Sequence, residues 1–120
     1  MAGETFALEN NDMILGINSP KESLGGPYSV VYKSLTERWA IVTMDWDEKA
    51  GLGIRWFWGN AGNPFSSGHP TWLVIPSSLC ISLLNGLPLP YEYRKSIEKY
   101  LSGDISGEEL STLVRSRKDW

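Results

Sequence analysis

From Arg38 to Trp46 the chain alternates with a period of two, and this constrains the fold more than any other feature. One set of alternate positions is Trp39, Ile41, Thr43 and Asp45; the other is Ala40, Val42, Met44 and Trp46. The second set is wholly apolar, so it is expected to form the core face of a strand. Asp47-Glu48-Lys49-Ala50-Gly51 reads as a hairpin turn. Leu52 to Trp58 reads as the returning strand, with Gly53 as a point where it can split. Before this hairpin, Tyr28 to Lys33 is rich in β-branched and aromatic residues and reads as a strand. After it, Thr71 to Ile75 is a continuous apolar strand, and Met13-Ile14-Leu15 is a short apolar strand candidate near the start.

The pattern then changes to a helical one. Pro76-Ser77-Ser78 reads as a helix start with a serine N-cap; Leu79, Cys80, Leu83 and Leu84 form its apolar face, and Gly86 ends it. Leu87-Pro88-Leu89-Pro90 is a stiff linker. The next helix runs to about Ser102, with Tyr93, Ile97, Tyr100 and Leu101 as its buried stripe and Gly103 as its cap. Ser106 followed by Glu109 matches a capping box. It opens a last helix with Leu110, Leu113 and Val114 inward and Arg115, Arg117 and Lys118 near its C-terminal end. The expected fold is α+β: an antiparallel β-meander of about four strands with two to three C-terminal helices on one side. A length of 120 residues suits one domain, with the sheet at about 28–76 and the helices at about 77–116.

Charge is distributed unevenly. Eleven Lys and Arg stand against fourteen Asp and Glu, a net charge of −3, yet the 36 residues between Arg55 and Glu92 carry none of these. That stretch holds three of the six tryptophans and the only histidine. A small domain cannot bury so long a run, so part of it is expected at the surface. No apolar run is long enough to span a bilayer, and no basic, apolar leader opens the chain. The single Cys80 fits a reducing compartment, and the expectation is a cytoplasmic protein.

Five candidate sites follow. Trp56 and Trp58 share a strand face; with Trp46 and Trp72 on neighbouring strands they form a cluster if those strands pair. Such a cluster is either core filling or a binding platform. The loop from Gly59 to Pro70 has three Gly and two Pro, which exclude a helix or a central strand and predict a connection without secondary structure of its own. Its amides could cradle an anion, but it has no basic residue and no phosphate-binding motif; a structural turn, or contact with a protein through Asn63 and Phe65, fits it better. His69 lies beside Ser66 and Ser67, yet sequence neighbours rarely make a catalytic pair, and one His with one Cys is too few for a metal site. Asp45, Asp47 and Glu48 form an acidic group, with the two aspartates on one strand face; paired carboxylates can hold Mg²⁺ or do acid–base chemistry, but acids are also normal beside an exposed turn, and the functional reading kept is an acidic patch that meets a basic partner. Cys80, on an apolar helix face without basic neighbours, reads as a small buried hydrophobe.

The function expected from this is a small protein-binding module with no catalytic residues, metal or cofactor. Its most specific form is a bacterial immunity or antitoxin-type inhibitor that blocks a cognate toxin sterically. Asp45, Asp47 and Glu48 would steer the encounter, and Trp56, Trp58, Asn63, Phe65 and His69 would make contact. The first alternative is a single-stranded nucleic-acid binder with a tryptophan platform, which the acidic balance disfavours. The second is a small hydrolase-like enzyme centred on His69, with Asp45, Asp47 and Ser66. Neither a membrane partner nor a cofactor is expected; a two-fold homodimer through an uncharged strand or loop stays open.

Overall fold

The structure, a computed structural model, describes residues 14, 15, 17, 24–57, 62–66 and 69–116. Six strands precede three helices: β1 (Leu24–Ser34), β2 (Trp39–Trp46), β3 (Lys49–Trp56), β4 (Phe65–Ser66), β5 (His69–Pro70) and β6 (Leu73–Val74), then α1 (Ser77–Asn85), α2 (Tyr91–Ser102) and α3 (Gly107–Ser116). β1, β2, β3 and β6 form one antiparallel sheet in that order, and β4 pairs with β5 alone. This is the expected α+β fold, with a small hairpin inserted before the last strand of the meander.

The turn between β2 and β3 is tighter than the sequence suggests. Trp46 pairs with Lys49, so Asp47 and Glu48 alone make the turn. Both take positive φ, 50° and 68°, as a two-residue type I′ hairpin requires. The turn fixes the whole register, which brings Trp39 opposite Trp56 and Ile41 opposite Ile54. β1 joins β2 through a turn at 35–38, closed by the Arg38 amide donating to the Ser34 carbonyl at 2.8 Å. A bulge in β1 places Val31 and Tyr32 together opposite Ile41. Two consecutive side chains, Val31 and Tyr32, therefore pack against the same core.

The helices cover the face opposite to the one the alternation marked as core. Val31, Ile41 and Leu52 from the sheet pack with Cys80 and Leu84 of α1, Tyr93, Ile97 and Tyr100 of α2, and Leu110 of α3. The wholly apolar set is buried too, but in a second cluster: Ala40, Val42 and Met44 pack with Ile14, Phe57 and Trp72. Alternation could not rank the faces because both are covered. Gly51 and Gly53 lie opposite Met44 and Val42 on this second face. A Cβ at Gly53 would run into the end of the Met44 side chain and come within 3.2 Å of Trp72 Cβ, so glycine there leaves room for both. Trp72 is almost fully buried and its indole N–H donates to the Ile17 carbonyl at 2.6 Å. Ile14 and Leu15 are helical, not a strand.

Several helix expectations hold and several shift. The capping box is present: Glu109 N–H donates to Ser106 Oγ at 3.0 Å, and Ser106 N–H to Glu109 Oε1 at 2.9 Å. Gly103 ends α2 with φ +88°. α1 is flanked by Pro76 and has no side-chain cap; its serines are the first helical residues. Leu79 and Leu113, expected inward, are exposed. Leu87 and Leu89 do more than link, since both are buried in the helix-side core. The Arg94 guanidinium ties this linker down by donating to the carbonyls of Leu87 and Leu89, each at 3.1 Å.

Candidate functional site: the aromatic end of the sheet

The β2–β3 hairpin separates the residues proposed as one contact surface. Asp47 and Glu48 sit in the turn at one end, whereas Trp56 lies at the other end, opposite Trp39. Seven residues at about 3.3 Å each put roughly 23 Å between them. Asp45 does not share a strand face with Asp47, because the strand ends at Trp46. Instead Asp45 faces the helices and accepts the Tyr100 hydroxyl at 2.8 Å. Burial, and after it the bond to Asp45 and its charge, push the Tyr100 hydroxyl well above the ordinary tyrosine range. Asp45 therefore anchors α2 to the sheet.

The tryptophans do not form one cluster across three strands. Trp72 is core and Trp46 lies half-buried against the same second face. Trp56 and Trp39 lie on the helix-side face of the sheet, as cross-strand partners. Both are half-buried. Trp39 also meets Tyr32, with ring centroids 5.6 Å apart and planes at 46°. Its indole N–H donates to Glu37 Oε1 at 2.9 Å. Next to them, in the β1–β2 turn, Leu35 is 51% exposed. The result is a partly open aromatic strip of Tyr32, Trp39 and Trp56, bordered by one exposed leucine and one exposed carboxylate.

Asn63 belongs to this end. Trp56 N–H donates to the Asn63 carbonyl at 2.7 Å, and Asn63 N–H returns to the Trp56 carbonyl at 2.9 Å. The described part of the loop is thus structured: a bridge at Asn63, a cis Asn63–Pro64 peptide, and the β4–β5 pair, with Phe65 opposite Pro70 and Ser66 opposite His69. That corrects the expectation of a loop without secondary structure. Trp58 lies outside the described residues, as do the side chains of Phe65, Ser66 and His69.

What holds this loop in place is Arg55, which is almost fully buried. Its Nη1 donates to the carbonyls of Pro64 at 3.1 Å and Thr71 at 2.9 Å, on either side of the β4–β5 pair. The guanidinium also lies over the Phe57 ring, 5.1 Å from its centroid. Burial pushes it down to about 10, which still leaves it charged at neutral pH. Gly62, at φ +70°, is packed so closely against the guanidinium and the Trp56 carbonyl that a Cβ has no room. On the same sheet face Arg38 is buried, with Nε donating to the Phe57 carbonyl at 3.1 Å.

Cys80 is buried, as expected, and its Sγ lies within 3.9 Å of the Ile75 and Pro76 carbonyls. Burial raises its thiol, against a smaller lowering by a backbone hydrogen bond. Among the described residues no group of three or more His, Cys, Asp and Glu is placed to hold a metal ion. No helix among them is long and apolar enough to cross a membrane. No protein family, curated protein or solved structure matches this chain.

Tyr32, Trp39, Leu35 and Glu37 were missed as candidates. The signal was present: a two-residue turn at 47–48 pairs residues whose numbers add to 95, and Trp39 with Trp56 is such a pair.

Proposed function

We propose that this chain is a protein-binding module that engages one cognate protein through the aromatic end of its sheet. The observation that carries the reading is the strip of Tyr32, Trp39 and Trp56, partly open to solvent beside exposed Leu35. Tryptophan and tyrosine concentrate binding energy because they bury large areas at a small cost in rotamer entropy. A strand scaffold presents them rigidly, and Arg55, on the opposite face of β3, ties the neighbouring loop to the sheet through the Pro64 and Thr71 carbonyls. Asn63 adds an exposed polar group on the same edge.

In its most specific form the module is a bacterial immunity-type inhibitor that occludes a toxin's active site. The net charge of −3 supports pairing with a basic partner. At this end the acidic group is Glu37. Asp47 and Glu48, more than two Debye lengths away at physiological salt, act weakly on an encounter there.

The test is capture from the source organism's lysate with wild-type protein, a Trp39→Ala/Trp56→Ala variant and a Thr112→Ala control. One protein retained at 1:1 stoichiometry by wild type and control, and lost by a folded double variant, supports the proposal. Equal retention by all three contradicts it. If the retained protein inhibits growth when expressed alone and not when co-expressed with this chain, the inhibitor form is supported as well.

A further inference from the structure

The aromatic strip runs across the strands and extends beyond its three rings. Ile54, on the helix-side face, pairs with Leu73 of β6, so the 51% exposed Leu73 shares that face with Trp56 and lies diagonally next to it. Tyr32 on β1, Trp39 on β2, Trp56 on β3 and Leu73 on β6 make one row over four adjacent strands, about 14 Å from end to end. Two polar atoms in this row are unused. The Trp39 indole N–H is taken by Glu37, whereas Trp56 Nε1 and the Tyr32 hydroxyl have no partner among the described residues and are not buried.

The charge beside the row is one-sided. Glu37 is exposed there. The bases at this end belong to the other face: Lys33 and Arg55 pair with Ala40, which packs in the second cluster, and Arg38 donates to the Phe57 carbonyl. α2 runs away from the row, from Tyr93 at Val30 to Tyr100 at Asp45, and carries Lys95 and Lys99 with it. Arg94 is tied to the Leu87 and Leu89 carbonyls.

Resting on the proposed function, we infer that the partner lays across this row an extended proline-rich segment flanked by a basic residue. A chain in the polyproline II conformation makes no internal hydrogen bonds, so its carbonyls can accept from Trp56 Nε1 and the Tyr32 hydroxyl. It repeats every three residues, about 9.3 Å. Tyr32 and Trp56 are two strand spacings apart, about 9.6 Å, so prolines at i and i+3 meet successive rings. The flanking base meets Glu37. Other modes leave these features unused. A helix bonds its own carbonyls and offers the two donors nothing. Strand addition meets blocked edges: the Val30 carbonyl of β1 already accepts the Tyr93 hydroxyl, and β6 is two residues long between Pro70 and Pro76.

The test is titration of the isotope-labelled full chain with a synthetic heptaproline peptide carrying an arginine at each end, followed by NMR. The expected result is a saturable shift of the Trp56 indole N–H, with the buried Trp72 indole unmoved, and no binding of the same peptide with alanine in place of proline. Trp56→Phe keeps a ring and removes the donor, and should weaken binding about threefold to tenfold. Glu37→Gln keeps an acceptor for Trp39 and removes the charge, and should weaken binding about twofold at low salt and not at about 1 M salt. Both variants should keep the wild-type thermal midpoint, and Thr112→Ala should bind like wild type. No saturable shift up to about 5 mM peptide, equal binding of the alanine peptide, or wild-type affinity in either Trp56→Phe or Glu37→Gln overturns the inference. If the proline peptide fails while the lysate partner is still lost by Trp39→Ala/Trp56→Ala, this inference falls and the proposed function stands.

Discussion

The Tyr100 hydroxyl donates to Asp45 Oδ1 at 2.8 Å, joining the middle helix to the second strand across 55 residues of sequence. Together with Tyr93, whose hydroxyl donates to the Val30 carbonyl, it makes two polar pins through an apolar layer. Each carries a buried aromatic body and a satisfied polar tip.

Loss of the Asp45 pin has a defined signature. Tyr100→Phe should cost about 1.5–3 kcal/mol at neutral pH, the range for a hydrogen bond to a charged group. The folded state holds Tyr100 protonated above the ordinary tyrosine value of 10. The unfolded chain therefore binds fewer protons above about pH 10, and stability falls as pH rises from there by up to about 1.4 kcal/mol per unit. The advantage of wild type over Tyr100→Phe should shrink over that window, measured by urea unfolding between pH 8 and 11.

Arg55 should be hard to replace. Arg55→Met removes the donor to two backbone carbonyls and should destabilise by about 3–5 kcal/mol. Arg55→Lys keeps the charge without the planar fork and should recover only part of the loss. Thermal unfolding of the two variants checks the order.

The β2–β3 turn should improve on substitution. Asp47 and Glu48 both hold positive φ, a geometry that Asn-Gly adopts at lower cost. The double substitution Asp47→Asn, Glu48→Gly should raise stability by about 0.5–1 kcal/mol. Because the turn lies far from the aromatic strip, partner affinity should change less than twofold, measured by calorimetry.

Much of this fold was legible in the sequence. Alternation at 38–46, the Ser106–Glu109 box and the Tyr93, Ile97 and Tyr100 stripe rest on local rules, and each is present. Which sheet face receives the helices was not legible, because Ile14, Phe57 and Trp72 seal the other face from distant parts of the chain. The role of Asp45 was hidden for the same reason: its partner lies 55 residues away. Trp39 is legible only through the register: a two-residue turn at 47–48 sets it opposite Trp56, a relation that the alternation of a single strand does not contain.

The capping box offers a local control. Ser106→Ala should cost about 1 kcal/mol by leaving the Glu109 amide without its acceptor, and amide hydrogen exchange should show the loss confined to α3.

The most direct measurement is the affinity of the captured partner for Trp39→Ala and Trp56→Ala, set beside each variant's thermal midpoint. A loss of tenfold or more in each, with midpoints within a few degrees of wild type, is the expected result. Unchanged affinity in folded variants, or a loss that only follows unfolding, would show that these rings serve the core and not a partner.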